Sequence, residues 1–127
     1  MSRNITFNYE DGEWKVGNFP AEDHVTTFRN TEPEQVVLQL TDEAEKAGYR
    51  FDTGDPIWIH AGANCPKKPA GCKGIAPNYC SDSVLVVTNC NAEKGRLRYQ
   101  LNVLDKSGKA TPIDPIWDNG GNGRFNM

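Results

Sequence analysis

The stretch Arg96-Leu97-Arg98-Tyr99-Gln100-Leu101-Asn102-Val103 places apolar and polar residues at alternate positions. Successive side chains of a β-strand point to opposite faces of a sheet, so this alternation predicts a strand with one face in a hydrophobic core. We expect its four odd-numbered residues to face inward. The polar sequence Asp105-Lys106-Ser107-Gly108 follows shortly and predicts a hairpin turn.

Further strands are predicted on both sides of this one. Residues 83–88 form an unbroken run rich in valine, which is typical of a buried strand. Residues 4–9 alternate, and an Asp11-Gly12 turn joins them to residues 13–16, a pattern that favours a hairpin. Residues 35–40 are apolar enough for a central strand.

The other segments are shorter. Strands are predicted at residues 24–29, 49–51, 55–60 and 113–117. Helical character is confined to residues 41–48, where Thr41 can cap the amino end and Gly48 can end the helix.

These segments predict an all-β fold, an antiparallel β-sandwich of about seven or eight strands with at most one short helical turn. The chain of 127 residues fits one domain, which we place at residues 1–118. The remaining residues 119–127 are rich in Asn and Gly and predict a flexible tail.

Composition limits the possible partners. A net charge of −3 argues against binding to nucleic acid, because phosphate recognition requires clustered Lys and Arg. No apolar run has the length of a membrane span, and the first residues lack the apolar core of a secretory signal. We therefore expect a cytoplasmic protein with no membrane partner, unless a signal peptide was removed upstream of this numbering.

The tetrapeptide Asp-Pro-Ile-Trp occurs twice, at residues 55–58 and 114–117. Proline is tolerated at the start of a strand, so both copies can be two similar strand entries. A second interpretation places Trp58 and Trp117 on one surface that binds a sugar, a peptide or another subunit. A third makes Asp55 and Asp114 a catalytic pair.

The end of the chain resembles a known family. A long alternating strand, a Lys-Ser-Gly-Lys turn and Ile-Asp-Pro-Ile-Trp-Asp-Asn-Gly-Gly look like the ending of the small bacterial DP-EP family. Glu32-Pro33 and Asp114-Pro115 match its two dipeptides. The ending is also similar, more distantly, to bacterial inclusion-body (PixA/AidA-type) proteins. The resemblance implies an immunoglobulin-like sandwich without an established activity.

Four cysteines, at positions 65, 72, 80 and 90, lie in one region. They lack the Cys-x-x-Cys spacing of zinc sites, so we expect no metal and no other cofactor. In a reducing compartment they are expected to be free thiols. Under oxidising conditions two of the first three can form a disulfide that braces the loop. Cys65 with His60 is a possible nucleophile–base pair, although no family motif surrounds it.

Residues 61–82 show no periodicity and predict a long cysteine-rich loop. Lys67, Lys68 and Lys73, with Tyr79, make this loop locally basic. The lysines can simply keep an exposed loop solvated, or they can bind an anionic ligand or an acidic partner. Without a recognisable catalytic motif, the sequence predicts a binding or self-assembly module that lacks catalytic activity and whose partner is a further copy or another protein. Two alternatives stay open. One is a small carbohydrate-binding module, and the other is a small hydrolase that uses the Asp pair or the Cys/His pair.

Overall fold

In the computed structural model, residues 2–28, 33–61, 75–89 and 95–119 are described. They form twelve β-strands, one α-helix and a single 3₁₀ turn at Ala21–Asp23. The elements are β1 (Ser2–Glu10), β2 (Glu13–Val16), β3 (Phe19–Pro20), β4 (Val25–Phe28), β5 (Glu34–Leu40), α1 (Asp42–Lys46), β6 (Arg50–Phe51), β7 (Ile57–Ala61), β8 (Ile75–Cys80), β9 (Val84–Asn89), β10 (Gly95–Leu101), β11 (Val103–Leu104) and β12 (Ile116–Asn119).

The strands form two main sheets, and the all-β sandwich is confirmed. One sheet has the order β3-β2-β1-β5-β9-β8, and the other has the order β4-β12-β10-β7. Strands β11 and β6 form a small third sheet. Two neighbouring pairs, β1–β5 and β12–β4, are parallel, and the other pairs are antiparallel.

The hydrophobic core lies between the two main sheets. The four residues that were expected to face inward from the opening stretch, Leu97, Tyr99, Leu101 and Val103, are all completely buried. They meet the inward positions of β1, β5 and β9 in one cluster. The period-2 pattern therefore located the core correctly on both sheets, since burial alternates along β5, β9 and β10.

The predicted hairpin and helix are also confirmed. Asp11 and Gly12 both have positive φ angles, 54° and 82°, as the tight turn between β1 and β2 requires. Thr41 caps α1, because its hydroxyl accepts a hydrogen bond from the Ala44 backbone N–H at 3.2 Å. Gly48 follows the helix with a φ of 98°.

The prediction of a structureless loop over residues 61–82 is wrong at its carboxyl end. Strand β8 occupies part of it and pairs with β9 along the outer edge of the larger sheet. The strand gave no alternating signal because four of its six residues are exposed, and because Pro77 and a register shift after it interrupt the ladder. Residues 62–74 lie outside the described part of the chain.

The number of strands is larger than predicted. Three of the twelve strands, β3, β6 and β11, contain only two residues each, which is too short for a periodic sequence pattern. At the carboxyl end, Asn119 completes β12, so the strand includes the first residue of the predicted tail. Residues 120–127 lie outside the described residues.

The sandwich has two ends, which we call end A and end B. At end A, strands β4, β7 and β9 finish, at Phe28, Ala61 and Asn89, and strands β5, β8 and β10 begin. At end B lie the turn of the first hairpin, helix α1 and the turn at residues 105–108. The direction of each strand therefore shows at which end of the sandwich its charged side chains lie.

Candidate functional site

The two Asp-Pro-Ile-Trp copies lie on opposite sides of strand β10. The Pro56 carbonyl accepts a hydrogen bond from the Asn102 N–H at 2.8 Å, and the Pro115 carbonyl accepts one from the Tyr99 N–H at 3.3 Å. Ile57 pairs with Leu101, whereas Ile116 pairs with Arg98. The copies are thus offset by an odd number of residues along β10, so equivalent side chains lie on opposite faces of the sheet.

This offset separates the two tryptophans. Trp117 points into the core and is completely buried, with its ring centroid 5.5 Å from that of Phe28. Trp58 lies on the outer face, half-buried, and its indole N–H donates to the Asp55 carboxylate at 2.8 Å. The prediction that Trp58 and Trp117 share one surface is therefore wrong, because the register of each copy against β10 decides the face.

The two aspartates are also on opposite sides of β10. Asp55 is exposed, and its carbonyl accepts a hydrogen bond from the Asn102 side chain at 2.7 Å. Asp114 is half-buried beside Ile113, whose backbone bonds to Leu101. Asp114 lines the groove described next, and Asp55 does not. The structure therefore does not place the two carboxylates in one cavity.

The candidate site is a half-open groove of about 250 Å³ at end B. One wall is the first hairpin with the chain that follows it, and the other is the segment before β12. Its lining residues are Tyr9, Gly12, Glu13, Trp14, Pro20, Ala21, Glu22, Thr111, Pro112, Ile113 and Asp114. A space of this size suits one long side chain or a small ligand.

Trp14 holds the two walls together. Its indole N–H donates to the carbonyl oxygen of Thr111 at 3.1 Å and to the hydroxyl of the same residue at 3.2 Å. The Trp14 ring also packs edge-on against Tyr9 and Tyr49, with centroid distances of 5.2 and 5.1 Å. Edge-to-face pairs of this kind add to the stability of a packed cluster. The aromatic wall of the groove is therefore fixed before any ligand arrives.

The groove is acidic. Three carboxylates line it, from Glu13, Glu22 and Asp114, and no Lys or Arg is among the described residues that line it. Glu13 and Glu22 are exposed and form no ion pair within the described ranges. The nearest basic side chain in sequence, Lys15, is shared by Glu10 and Asp11 at 3.8 and 3.7 Å. The exposed carboxylates of Glu13 and Glu22 therefore give the groove local negative charge, which attracts cations.

A second polar cluster lies in the interior at end A. Glu34 is almost completely buried and accepts a 3.0 Å hydrogen bond from Arg3. The Arg3 guanidinium lies 5.0 Å from the ring centroid of Phe28, which belongs to the opposite sheet. Glu34 also pairs along the β5–β9 ladder with the buried Asn89. This cluster joins the two sheets, and we interpret it as structural.

The other predicted site residues are distributed over the molecule. Tyr79 is 58% exposed on the edge strand β8. Lys67 and Lys68 lie outside the described residues, as do Cys65, Cys72 and Cys90 and the side chain of His60. The candidate Cys65–His60 pair is therefore not located.

Cys80 is a free, half-buried thiol. Burial raises its pKa, and the negative charges of Asp52 and Asp82 raise it further. This environment favours the protonated, unreactive form of the thiol. Among the described residues, no group of three or more His, Cys, Asp or Glu side chains is arranged to hold a metal ion.

No protein-family model matches the chain, and no curated protein matches it. The resemblance of the chain ending to the DP-EP family therefore stays a prediction. No helix in the described ranges is long and apolar enough to cross a membrane.

Proposed function

We propose that this chain is a binding module without catalytic activity, whose groove at end B holds a Lys or Arg side chain of a protein partner. The observation that carries the proposal is the composition of the groove. Three carboxylates and an aromatic wall line it, two of the carboxylates, Glu13 and Glu22, are exposed, and the described lining contains no Lys or Arg. A ligand that neutralises these charges and covers the rings fits better than an anion or a purely apolar group.

Lys and Arg satisfy both requirements. Their aliphatic stems pack on apolar surface while the charged head reaches carboxylates. A cation near an aromatic ring gains roughly 0.5–1 kcal/mol at an exposed site and more when water is excluded. The half-buried ring of Tyr9 and the carboxylates of Glu13 and Glu22 lie along the same groove. Weak to moderate affinity that falls as salt rises is the expected signature.

The test is an NMR titration with the probe peptide acetyl-Ala-Arg-Lys-Ala-amide and, as a comparison, acetyl-Ala-Glu-Glu-Ala-amide. We expect the basic peptide to shift the Trp14 indole N–H signal and the backbone signals of Gly12 and Glu22. We expect the double substitution Glu13→Gln/Glu22→Gln to weaken binding of the basic peptide about tenfold. Loss of one charge-assisted contact, on the order of 1.5 kcal/mol, is sufficient for this change in affinity.

A matched control is Glu43→Gln/Glu45→Gln, which removes the same charge from exposed positions of helix α1. This variant is expected to bind the probe almost as tightly as the original chain. An equal loss of affinity in both variants, or shifts spread evenly over the surface, would show that only net charge attracts the peptide and would refute the groove as the site.

A second candidate, a small carbohydrate-binding module, is favoured by the outer face of the smaller sheet. There Trp58 is half-buried and fixed by Asp55, beside a hydrogen bond of 2.8 Å from the side-chain amide of Gln100 to that of Asn102. A fixed aromatic ring beside planar polar side chains suits a sugar ring. A glycan array should then show binding that Trp58→Ala abolishes and Trp58→Phe partly keeps. Unchanged array signals in Trp58→Ala would reject this candidate.

We also propose, from its chain ending alone, that the protein belongs to the DP-EP family with an immunoglobulin-like sandwich. The residues that support this are the late strand and the Asp114-Pro115 dipeptide. Membership would be consistent with the absence of a recognised catalytic motif in the sequence.

A further inference from the structure

Phe19 presents an exposed aromatic ring beside the groove. It lies in the edge strand β3 and is 70% exposed. Among the described large hydrophobic residues, only Tyr79 is also exposed, at 58%, and it lies on β8 at the opposite edge of the same sheet. The residue that follows Phe19, Pro20, lines the groove. Because aromatic residues are enriched at protein–protein interfaces, Phe19 is a candidate second contact for a ligand of the groove.

Phe19 and the groove lie on the same face of the larger sheet. Phe19 is paired with Val16, and the side chains of paired residues point to the same side, as do those two positions apart along a strand. Trp14 therefore shares this face, from which its indole N–H donates to Thr111 on the other wall of the groove. Trp14 and Phe19 are diagonal neighbours on β2 and β3, and such residues are separated by about 7–8 Å.

This separation fits a partner segment in extended conformation. The groove has room for one long side chain, so the adjoining residues of the partner lie outside it, on the neighbouring surface. Side chains two positions apart in an extended segment point the same way and are separated by about 6.6 Å, twice the rise per residue. A neighbour one position away points to the opposite side. A side chain two positions from the one in the groove can therefore lie over Phe19.

Side chains, rather than added strand hydrogen bonds, should provide this contact. Strand β3 contains only two residues, and Pro20 has no N–H with which to pair a further strand. The surface offers charge and an apolar ring instead. Glu13 and Glu22 are exposed carboxylates of the groove, and they attract a basic side chain. The ring of Phe19 favours an apolar side chain, because contact between the two removes apolar surface from water.

We propose that the site recognises an extended protein segment in which one residue separates a Lys or Arg from an apolar residue. The basic side chain enters the groove, and the apolar side chain packs on Phe19. This inference rests on the proposed function, since it adds a second contact to the same groove and defines the sequence that binds there. Charge complementarity selects the basic residue, and the spacing selects the position of the apolar one.

The test is an NMR titration with two probe peptides of identical composition and charge, acetyl-Leu-Ala-Lys-Ala-Leu-amide and acetyl-Ala-Leu-Lys-Leu-Ala-amide. The leucines are two positions from the lysine in the first peptide and one position away in the second. Each peptide carries leucine on both sides, so the direction in which the segment binds does not affect the comparison. We expect the first peptide to bind about fivefold more tightly, because only its leucines can cover Phe19 while the lysine occupies the groove.

Substitution of Phe19 tests the second contact directly. In Phe19→Ala the two peptides should bind with equal affinity, whereas Phe19→Leu should keep most of the preference. Tyr79→Ala is the matched control, because it removes the other exposed aromatic ring from the opposite edge of the sheet, and it should keep the full preference. Thermal unfolding of each variant shows whether the fold is retained, as the exposure of both rings predicts.

The outcomes separate this inference from the proposed function. Equal affinity of the two peptides for the original chain, with both weakened by Glu13→Gln/Glu22→Gln, would overturn the inference and leave the proposed function standing. A preference that persists unchanged in Phe19→Ala would also overturn the inference. Failure of both peptides to bind the original chain would overturn the inference and the proposed function together.

Discussion

The indole N–H of Trp14 donates to both the carbonyl and the hydroxyl oxygen of Thr111, a residue 97 positions later in the chain. This shared donor joins the first hairpin to the segment that leads into the second Asp-Pro. The two walls of the groove therefore meet at one side chain. The relationship also makes the groove dependent on the fold of the whole chain, since its walls come from the two extremes of the sequence.

The hydroxyl of Thr111 should contribute measurably to this junction. Thr111→Val keeps the volume and the carbonyl acceptor but removes the hydroxyl, so we expect a loss of about 0.5–1.5 kcal/mol in the free energy of unfolding. Urea unfolding followed by tryptophan fluorescence measures it. Thr27→Val on β4, another half-buried threonine, should change the stability less. Equal effects of the two substitutions would contradict a specific role for Thr111.

Arg3 should be more important for stability than an exposed basic residue. Arg3→Met leaves the carboxylate of Glu34, which is only 2% exposed, without its arginine partner, and we expect a loss of about 3 kcal/mol. Lys15→Met removes the longer contacts to Glu10 and Asp11 and should cost less than about 1 kcal/mol. Chemical denaturation of both variants gives the comparison. A smaller loss for Arg3→Met than for Lys15→Met would refute a structural role for the buried pair.

Gly48 should tolerate no side chain. Its φ is 98°, and a Cβ atom added there would lie about 2.3 Å from the Cβ of Lys106. Gly17 also has a positive φ, 63°, but a Cβ atom added there would have no neighbour within 4 Å. A substitution at Gly17 therefore measures the cost of the backbone conformation without a steric clash. We expect Gly17→Ala to cost roughly 1–2 kcal/mol and Gly48→Ala clearly more. Similar melting temperatures for the two variants would show that the contact with Lys106 relaxes freely.

The thiol of Cys80 should react slowly at neutral pH. A raised pKa leaves less thiolate at a given pH, so alkylation by iodoacetamide at about pH 8 should be slower in the folded protein than in urea. Peptide mass spectrometry separates Cys80 from the other cysteines. Asp82→Asn removes one of the charges that raise the pKa and should speed the reaction, whereas Asp118→Asn at end A should not. Equal rates in folded and unfolded protein would contradict the shift.

Local patterns in the sequence were sufficient for much of the fold. Alternation along residues 96–103 identified the buried face of β10, and Asp11-Gly12 identified the first turn, because both depend on neighbours in the chain. The same reasoning missed β8. An exposed edge strand is held by backbone hydrogen bonds to one neighbour, and such bonds leave no pattern of side chains.

The candidate site required tertiary structure. In the sequence, Trp14 lies in the predicted first hairpin, and Glu22 lies between two predicted strands. Their approach to Asp114 depends on how the first hairpin packs against the end of the chain, which no local spacing encodes. The faces of Trp58 and Trp117 are a similar case. One tetrapeptide gives one local conformation, but the register against β10 decides which face each ring occupies.

The sequence by itself thus determined the class of fold and the main inward faces, since hydrophobic periodicity acts over a few residues. Only the tertiary structure decided which side chains share a groove, and which charges lie at the same end of the sandwich. These depend on strand order and register, which are set by packing between residues far apart in the chain.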